Sequence, residues 1–156
     1  MPEPDAAVLQ RRASIVADLR NIVPGEGVVD TVNAMRVFES DGLTAHRSLP
    51  LVVVLPETVD QVSDVLRYCH DNSIRVVPRG AGTSLSGGSM PLADAVLLGM
   101  SRFNRILEID YPNRAAVVQP GVTNLGITKA VEHEGFYYAP DPSSQIACLI
   151  GGNVAE

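Results

Sequence analysis

The sequence predicts an α+β protein in which a small βαβ-containing subdomain is followed by the start of a second, mostly antiparallel subdomain. The aliphatic run 51–55 and the apolar stretch 75–78 flank a segment of helical periodicity, which indicates parallel strands joined by a helix. Two later strand candidates, 106–110 and 115–119, are joined across a short turn. Hydrophobic residues make up 46% of the 156-residue chain, enough for the core of one domain.

The N-terminal third contains one clear helix. Apolar residues recur at helical spacing over 5–23, which predicts an amphipathic helix that ends at Pro24-Gly25. Residues 25–50 are weakly periodic, with an acidic turn at Asp41-Gly42, and are expected to form a surface connection.

The βαβ unit has well-marked boundaries. Pro56 ends the first strand, and Thr58 and Gln61 form a T-x-x-Q capping box for a helix that reaches Asn72. The second strand follows at 75–78. The apolar face of the helix is expected to carry Val59, Val62, Val65, Leu66 and Cys69.

The second half continues with strands at 95–98, 106–110 and 115–119. A helix is predicted over 123–134, with Gly135 at the position after its last turn. The tail from Tyr138 to Asn153 is rich in turn residues and is expected to contain no helix or strand.

Charge and composition exclude several classes of protein. Twelve basic and 18 acidic residues give a net charge of −6, and no lysine or arginine cluster is present for a nucleic acid or an anionic membrane. The sequence has no apolar run of spanning length and no basic-then-apolar leader at its start. Two distant cysteines and three isolated histidines indicate neither a disulfide framework nor a metal site. The sequence therefore predicts a soluble cytoplasmic protein.

A glycine-rich segment, Pro78 to Gly88, follows the second strand of the βαβ unit. Loops at the carboxyl ends of parallel strands are where α/β sheets hold nucleotides. Glycines let successive backbone N–H groups converge on an anion, and Thr83, Ser84 and Ser86 add hydroxyl donors. A purely structural loop is the alternative.

Two phosphate-binding motifs do not fit this segment. The dinucleotide fingerprint G-x-G-x-x-G would require glycine at Leu85, and Gly88 stands where a Walker A loop has its lysine. ATP or GTP hydrolysis is therefore not expected. A diphosphate held by backbone amides suits a dinucleotide better than a triphosphate.

Three segments in order, PRGAGTSLSGG (78–88), QPGV (119–122) and YAPDPSSQIACLIGGNVAE (138–156), resemble the FAD-binding domain of the vanillyl-alcohol oxidase, or PCMH-type, family. Within it the likeness is to FAD-linked subunits of bacterial glycolate oxidases and to FAD-dependent D-lactate dehydrogenases. The resemblance implies that the first segment holds the FAD pyrophosphate, the second contacts the cofactor and the third lines the flavin. The implied cofactor-binding residues are Pro78, Arg79, Gly80, Ala81, Gly82, Thr83, Ser84, Ser86, Gly87, Gly88, Pro120, Gly121, Asp141, Ser144, Cys148, Gly151, Gly152 and Asn153.

The resemblance also implies that FAD is bound non-covalently, because Thr83 stands where covalently flavinylated relatives have a histidine. Three assignments have simpler alternatives in the residues themselves. Arg79 is a source of positive charge for the pyrophosphate or a solvated side chain, Asp141 contacts FAD or caps a turn, and Cys148 lines the flavin or is a small buried residue.

By the same resemblance, the parent protein is an FAD-dependent 2-hydroxy-acid dehydrogenase acting on glycolate or D-lactate, with its catalytic residues, unknown here, beyond residue 156. The alternatives are a truncated FAD-domain module without activity, or an oxidoreductase of this family acting on another alcohol. The expected division is an N-terminal helix and connection (1–50) and an FAD-binding domain (51–156), with a first subdomain of about 51–100 and an incomplete second of about 101–156.

The resemblance implies several partners and a location. They are a small 2-hydroxy-acid substrate, a second FAD-domain subunit and an iron-sulfur subunit, which would also bring the protein to the inner face of the cell membrane. No nucleic-acid partner is expected. Strand edges left unpaired by truncation are expected to favour a homo-oligomer of the fragment.

Overall fold

A computed structural model of the protein describes residues 2–155. Met1 and Glu156, which the expected domain ranges include, lie outside the described residues. The elements in chain order are α1 (Ala6–Gln10), α2 (Arg12–Ile22), β1 (Val28–Val29), α3 (Val32–Met35), β2 (Val52–Val54), α4 (Val59–Asp71), β3 (Arg75–Arg79), β4 (Ala95–Gly99), β5 (Ile106–Asp110), β6 (Ala115–Val118), α5 (Asn124–Val131) and α6 (Ile150–Ala155).

The main sheet has four strands in the order β1-β2-β4-β3. Strands β2, β4 and β3 run parallel, with Val53 and Val77 both opposite Leu97, and β1 is antiparallel to β2. The predicted βαβ unit is therefore present, but β4 lies between its two strands. Every residue of β2 and β4 is buried, as expected for parallel strands covered on both faces.

Helix α4 begins at the predicted cap. The Thr58 hydroxyl accepts a hydrogen bond from Gln61 N at 3.2 Å, and Gln61 Oε1 accepts one from Glu57 N at 2.8 Å. Val65 and Cys69 are buried, whereas Val59 and Leu66 are exposed, so the predicted apolar face was too wide. Only the side of α4 that faces α2 and the sheet is buried.

The N-terminal helix is divided at Arg11 into α1 and α2, rather than continuous over 5–23 as predicted. Asp5 caps α1 and accepts a hydrogen bond from Ala7 N at 2.8 Å. Its own backbone N–H donates to the buried carboxylate of Asp94 at 2.8 Å, and Arg75 lies 3.3 Å from the same oxygen. These contacts fix the start of the chain to the amino ends of β3 and β4.

The expectation of a surface connection over residues 25–50 was wrong. β1 pairs with β2, and Met35 packs in a small core with Val53 and Leu97. Met35 and Asp41 are both buried. A two-residue strand and a one-turn helix carry no periodic pattern, because their burial depends on contacts distant in sequence.

The second region consists of the antiparallel β5–β6 hairpin and the helices α5 and α6. Helix α5 has the predicted start, with the Thr123 hydroxyl accepting from Gly126 N at 3.1 Å, and Gly135 follows its last turn in the left-handed region at φ 77°. Helix α6 contradicts the prediction of a tail without helix. Within residues 2–155, no helix has both the length and the apolar character required to cross a membrane.

Candidate functional site

The structure brings together parts of all three segments singled out in the sequence. The glycine loop (residues 80–88) leaves the carboxyl end of β3, and a Cβ added to Gly80 would lie 3.6 Å from the Cβ of Leu149. Gly151 N donates to Pro120 O at 2.8 Å, and Ile150 N donates to Val122 O at 2.9 Å. The Pro-Gly turn (residues 120–121) and the tail segment (residues 148–153) therefore form one wall beside the glycine loop.

The same hydrogen bonds explain why α6 forms despite two glycines. Gly151 approaches Pro120 so closely that an added Cβ would lie 2.7 Å from the Pro120 Cβ. A larger residue at 151 would push α6 away from the turn. Gly151, one of the two glycines that suggested an irregular tail, instead permits a close helix contact.

The glycine loop turns at two glycines in the left-handed region, Gly82 at φ 73° and Gly87 at φ 78°. Leu85 and Ser86 between them are exposed. Ser86 N donates to the Ser84 hydroxyl at 3.1 Å, which shapes the tip of the loop. The loop therefore has an exposed tip between two left-handed glycines, with Thr83 and Ser84 half-buried beside it.

Arg79 lies beneath this loop with only 7% of its surface exposed, so the alternative of a solvated arginine was wrong. Its Nη1 donates to Ser89 O at 3.4 Å, and its guanidinium lies 5.8 Å from the centre of the Phe38 ring. A Cβ at Gly82 would collide with the guanidinium. Burial lowers the pKa of Arg79, and the nearby negative charge of Asp41 opposes that shift.

Residues 38–43, here called the N-terminal wall, contact the other side of the loop. A Cβ at Gly42 would lie 2.6 Å from Ser84 O and 2.7 Å from Thr83 O. Asp41 is 4% exposed, with Oδ1 accepting from Leu43 N at 2.9 Å and Oδ2 without a hydrogen-bond partner among the described residues. Sequence reasoning missed this wall, because the Asp-Gly pair indicated only a turn.

The Pro-Gly turn is held against the chain that leaves β4. Gly121 N donates to Phe103 O at 2.7 Å, and a Cβ at Gly121 would lie 2.7 Å from the same oxygen. Cys148 is buried, and its carbonyl accepts from the backbone N–H of Asn124 at 3.1 Å. This part of the site therefore depends on backbone contacts that larger residues would disrupt.

Asp141 has a local partner in this structure. Gln145 Nε2 donates to Asp141 Oδ1 at 2.6 Å, and Cys148 N donates to Ser144 O at 2.8 Å. The first bond closes the Asp-Pro-Ser-Ser turn, which agrees with the turn-capping alternative for Asp141, and the second continues the chain from that turn towards Cys148. Gly152 and Asn153 lie on the exposed side of α6.

A cleft of about 570 Å³ adjoins the convergence of the segments and includes Gly121 and Leu149 in its lining. A second cleft of about 350 Å³ lies apart from the glycine loop, between the β5–β6 hairpin, α5 and residues 135–139. Among residues 2–155, no group of three histidine, cysteine or acidic side chains is placed to hold a metal ion.

The hydrogen-bond donors of the glycine loop suit the diphosphate of a dinucleotide. Residues 78–89 contain no carboxylate and no lysine, so an anion there would meet backbone amides and hydroxyls above one buried guanidinium. Such a nest of amides can bind a diphosphate without a metal ion.

Comparison with known proteins agrees with this chemistry. Residues 50–156 match the family described as FAD binding domain. The chain is 54% identical over 145 residues to "Glycolate oxidase subunit GlcD" of Escherichia coli K12, a match covering 93% of this chain and 29% of the relative. It is 42% identical over 135 residues to the protein of the same name in Bacillus subtilis, covering 86% of this chain and 29% of that relative.

A more distant relative is "D-2-hydroxyglutarate dehydrogenase, mitochondrial" of Bos taurus, at 32% identity over 140 residues, with coverage of 90% of this chain and 26% of the relative. The chain thus spans less than a third of the length of these curated relatives.

Solved structures share the fold at low sequence identity. Alkyldihydroxyacetonephosphate synthase matches with a TM-score of 0.80 and 21% identity, over 99% of this chain and 30% of that protein. p-Cresol methylhydroxylase matches with a TM-score of 0.70 and 20% identity, over 85% of this chain and 26% of that protein. The chain therefore belongs to the FAD binding domain family and has the PCMH-type α+β fold that its three segments predicted.

Proposed function

We propose that this chain is the cofactor-binding part of an FAD-dependent 2-hydroxy-acid dehydrogenase of the glycolate or D-lactate kind. The observation that supports it most strongly is the convergence of the glycine loop, the Pro-Gly turn and the tail segment around Gly80, Pro120 and Gly151. The names of relatives at 54% and 32% identity refer to glycolate and 2-hydroxyglutarate, both 2-hydroxy acids. When bound, FAD would accept the hydride from the α-carbon of such a substrate.

The residues of the chain have distinct roles in this proposal. Backbone amides of residues 80–88, with the hydroxyls of Thr83, Ser84 and Ser86, hold the diphosphate, while Pro78 and Arg79 position the loop from below. The Pro-Gly turn approaches the cofactor with its backbone. The residues proposed to line the flavin are Asp141, Ser144, Cys148, Gly151, Gly152 and Asn153.

The wider organisation is also part of the proposal. Residues 51–156 form the FAD-binding domain, divided near residue 100, and residues 1–50 precede it. The substrate-binding and catalytic groups belong to parts of the protein outside this chain. A second FAD-domain subunit and an iron-sulfur subunit are the proposed partners, supported by the word "subunit" in the names of the glycolate oxidase relatives.

Substituting Gly82 tests the proposed role of the glycine loop. Gly82→Val should abolish FAD binding, because its side chain enters the space of the Arg79 guanidinium and disfavours φ 73°. Gly25→Val is the matched control, since Gly25 has φ 70° and nothing within 4 Å of an added Cβ. FAD titration by fluorescence quenching, with circular dichroism to establish folding, gives the measurement. A folded Gly82→Val protein with the affinity of the control would rule the loop out.

The cofactor is proposed to be non-covalent, because a threonine hydroxyl at position 83 replaces the histidine of covalently flavinylated relatives. Acid precipitation of the flavin-loaded protein should release all of the yellow colour into the supernatant. Flavin that stays with the washed pellet would contradict this expectation.

A further inference from the structure

The first turn of α5 holds residues 140–148, here called the Pro-Ser loop. Asn124 N donates to Cys148 O at 3.1 Å, and Leu125 N donates to Gln145 O at 3.1 Å. The first backbone N–H groups of a helix have no partner within the helix, so these two carbonyls complete the start of α5. The second half of the Pro-Ser loop is therefore fixed to this helix by backbone hydrogen bonds.

The side chain of Asn124 reaches the other end of the same loop. Its Nδ2 donates to Pro140 O at 3.2 Å, although Pro140 itself lies on the exposed surface. One residue thus joins both ends of the Pro-Ser loop, since its backbone holds Cys148 and its side chain holds Pro140.

The burial of Asn124 shows that packing alone does not account for this residue. Asn124 is 0% exposed, and its Oδ1 has no hydrogen-bond partner among the described residues. A buried amide loses hydration that only hydrogen bonds replace, so a half-satisfied asparagine is less favourable there than an apolar side chain of similar size. What the amide supplies and an apolar side chain does not is the hydrogen bond to Pro140 O.

The Pro-Ser loop contains three of the residues proposed to line the flavin, Asp141, Ser144 and Cys148. They lie between Pro140 and Cys148, the two points that Asn124 holds. If the side-chain bond were lost, the backbone bond to Cys148 would remain. The Asp141 end of the loop would then move, while the glycine loop on the other side of the site would keep its shape.

We propose that Asn124 is a positioning residue for the flavin: by holding both ends of the Pro-Ser loop, it fixes the residues that line the flavin ring. Because Asn124 has no exposed surface, it acts through this loop and not by contact with the cofactor. The inference rests on the proposed function, which assigns the loop to the flavin. It predicts that loss of the Asn124 amide weakens binding of the flavin half of FAD and leaves binding of the ADP half, assigned to the glycine loop, unchanged.

The test compares Asn124→Leu with Asn72→Leu in the full chain. Asn72 makes the same kind of bond, from Nδ2 to Tyr68 O at 2.9 Å, at the end of α4 that precedes β3. Titration calorimetry gives the affinities for FAD and for ADP, and hydrogen exchange without ligand follows the Gln145 amide, which donates to Pro142 O at 2.8 Å. Asn124→Leu should weaken FAD binding and raise Gln145 exchange, each by about tenfold, with ADP affinity unchanged. Asn72→Leu should leave all three values as in the wild type.

Each outcome decides a separate point. Equal losses of FAD and ADP affinity in Asn124→Leu would overturn the proposal, because Asn124 would then support the whole site and not the flavin part. Unchanged Gln145 exchange, or unchanged FAD affinity, would overturn it as well. Failure of the wild-type chain to bind either ligand would instead reject the proposed function, while the exchange measurement still decides whether Asn124 holds the loop.

A second variant covers the case in which Asn124→Leu does not fold. Asn124→Asp keeps the shape of the side chain and removes the donor to Pro140 O at neutral pH. Weaker FAD binding and faster Gln145 exchange in that variant, with ADP affinity unchanged, support the proposal, and wild-type values contradict it.

Discussion

The main sheet and the β5–β6 hairpin are built from similar aliphatic residues but are buried to very different degrees. Every residue of β2 and β4 is buried, whereas Leu107 in β5 and Val117 in β6 are 57% and 51% exposed. The main sheet is covered on one face by α2 and α4 and on the other by a cluster that includes Met35 and Phe38. The hairpin has only two strands and no comparable cover among residues 2–155.

This difference indicates where the stability of the chain originates. The main sheet has its own core, and the hairpin region meets it where Gly121 N donates to Phe103 O and where the Leu149 side chain lies beside Gly80. The candidate cofactor site lies at this boundary. The glycine loop belongs to the stable region, and the remaining segments belong to the region with less packing.

The largest expected effect comes from removing a core side chain of the main sheet. Leu97 is fully buried between β2 and β3, so Leu97→Ala should lower the free energy of unfolding by about 2–5 kcal/mol. Val117→Ala in the hairpin should lower it by less than about 0.5 kcal/mol. Urea denaturation followed by circular dichroism measures both, and equal losses would contradict the difference between the regions.

An intermediate effect is expected where the two regions meet. A methyl group at Gly121 would press against the backbone oxygens of Met100 and Phe103, which cannot rotate away. Gly121→Ala should therefore cost about 1–3 kcal/mol, concentrated in the hairpin region. Hydrogen exchange should increase in β5, β6 and α5 while β2 and β4 stay protected. Uniform loss of protection would mean that the two regions unfold as one unit.

The smallest expected effect is a pH-dependent change in stability from Tyr68, which lies on helix α4 outside the main sheet. The Tyr68 hydroxyl donates to Asp18 Oδ2 at 2.8 Å, and burial together with this bond raises the pKa of Tyr68 from 10.0 to about 12. A raised pKa in the folded state contributes stability that is present below pH 10 and lost as the pH rises towards 12. Tyr68→Phe should therefore lose less stability than the wild type between pH 10 and 12. Urea denaturation midpoints of both proteins, measured across that pH range, test this. Burial also raises the pKa of Cys69, but both proteins contain that residue, so it contributes equally to the two series.

Much of the fold could be predicted because its signals are local. The Thr58 cap, the left-handed Gly135 and the boundaries of β5 each depend on residues within one or two turns of the chain. β1 gave no such signal, because two valines become a strand only beside Val53 and Val54. The position of β4 between β2 and β3 was equally inaccessible, since strand order depends on contacts distant in sequence.

The candidate site divides in the same way. The glycine loop was evident from composition and from its place after a strand. The burial of Arg79 and Asp41 was not, because charged side chains in turns and loops are ordinarily solvated, and only the packing of the N-terminal wall against the glycine loop removes these two from water. The helical tail was missed because Gly151 and Gly152 have low helix propensity, which the contacts with Pro120 and Val122 overcome.

The insertion of β4 between β2 and β3 has a consequence for biosynthesis. During translation, β2, α4 and β3 leave the ribosome before the strand that must separate them, so the main sheet cannot close until Gly99 has emerged. The glycine loop lies in the connection from β3 to β4 and acquires its two fixed ends only at that moment. A nascent chain stalled before residue 95 would hold two apolar strands with unsatisfied edges, a state that chaperones recognise and that aggregates when it persists.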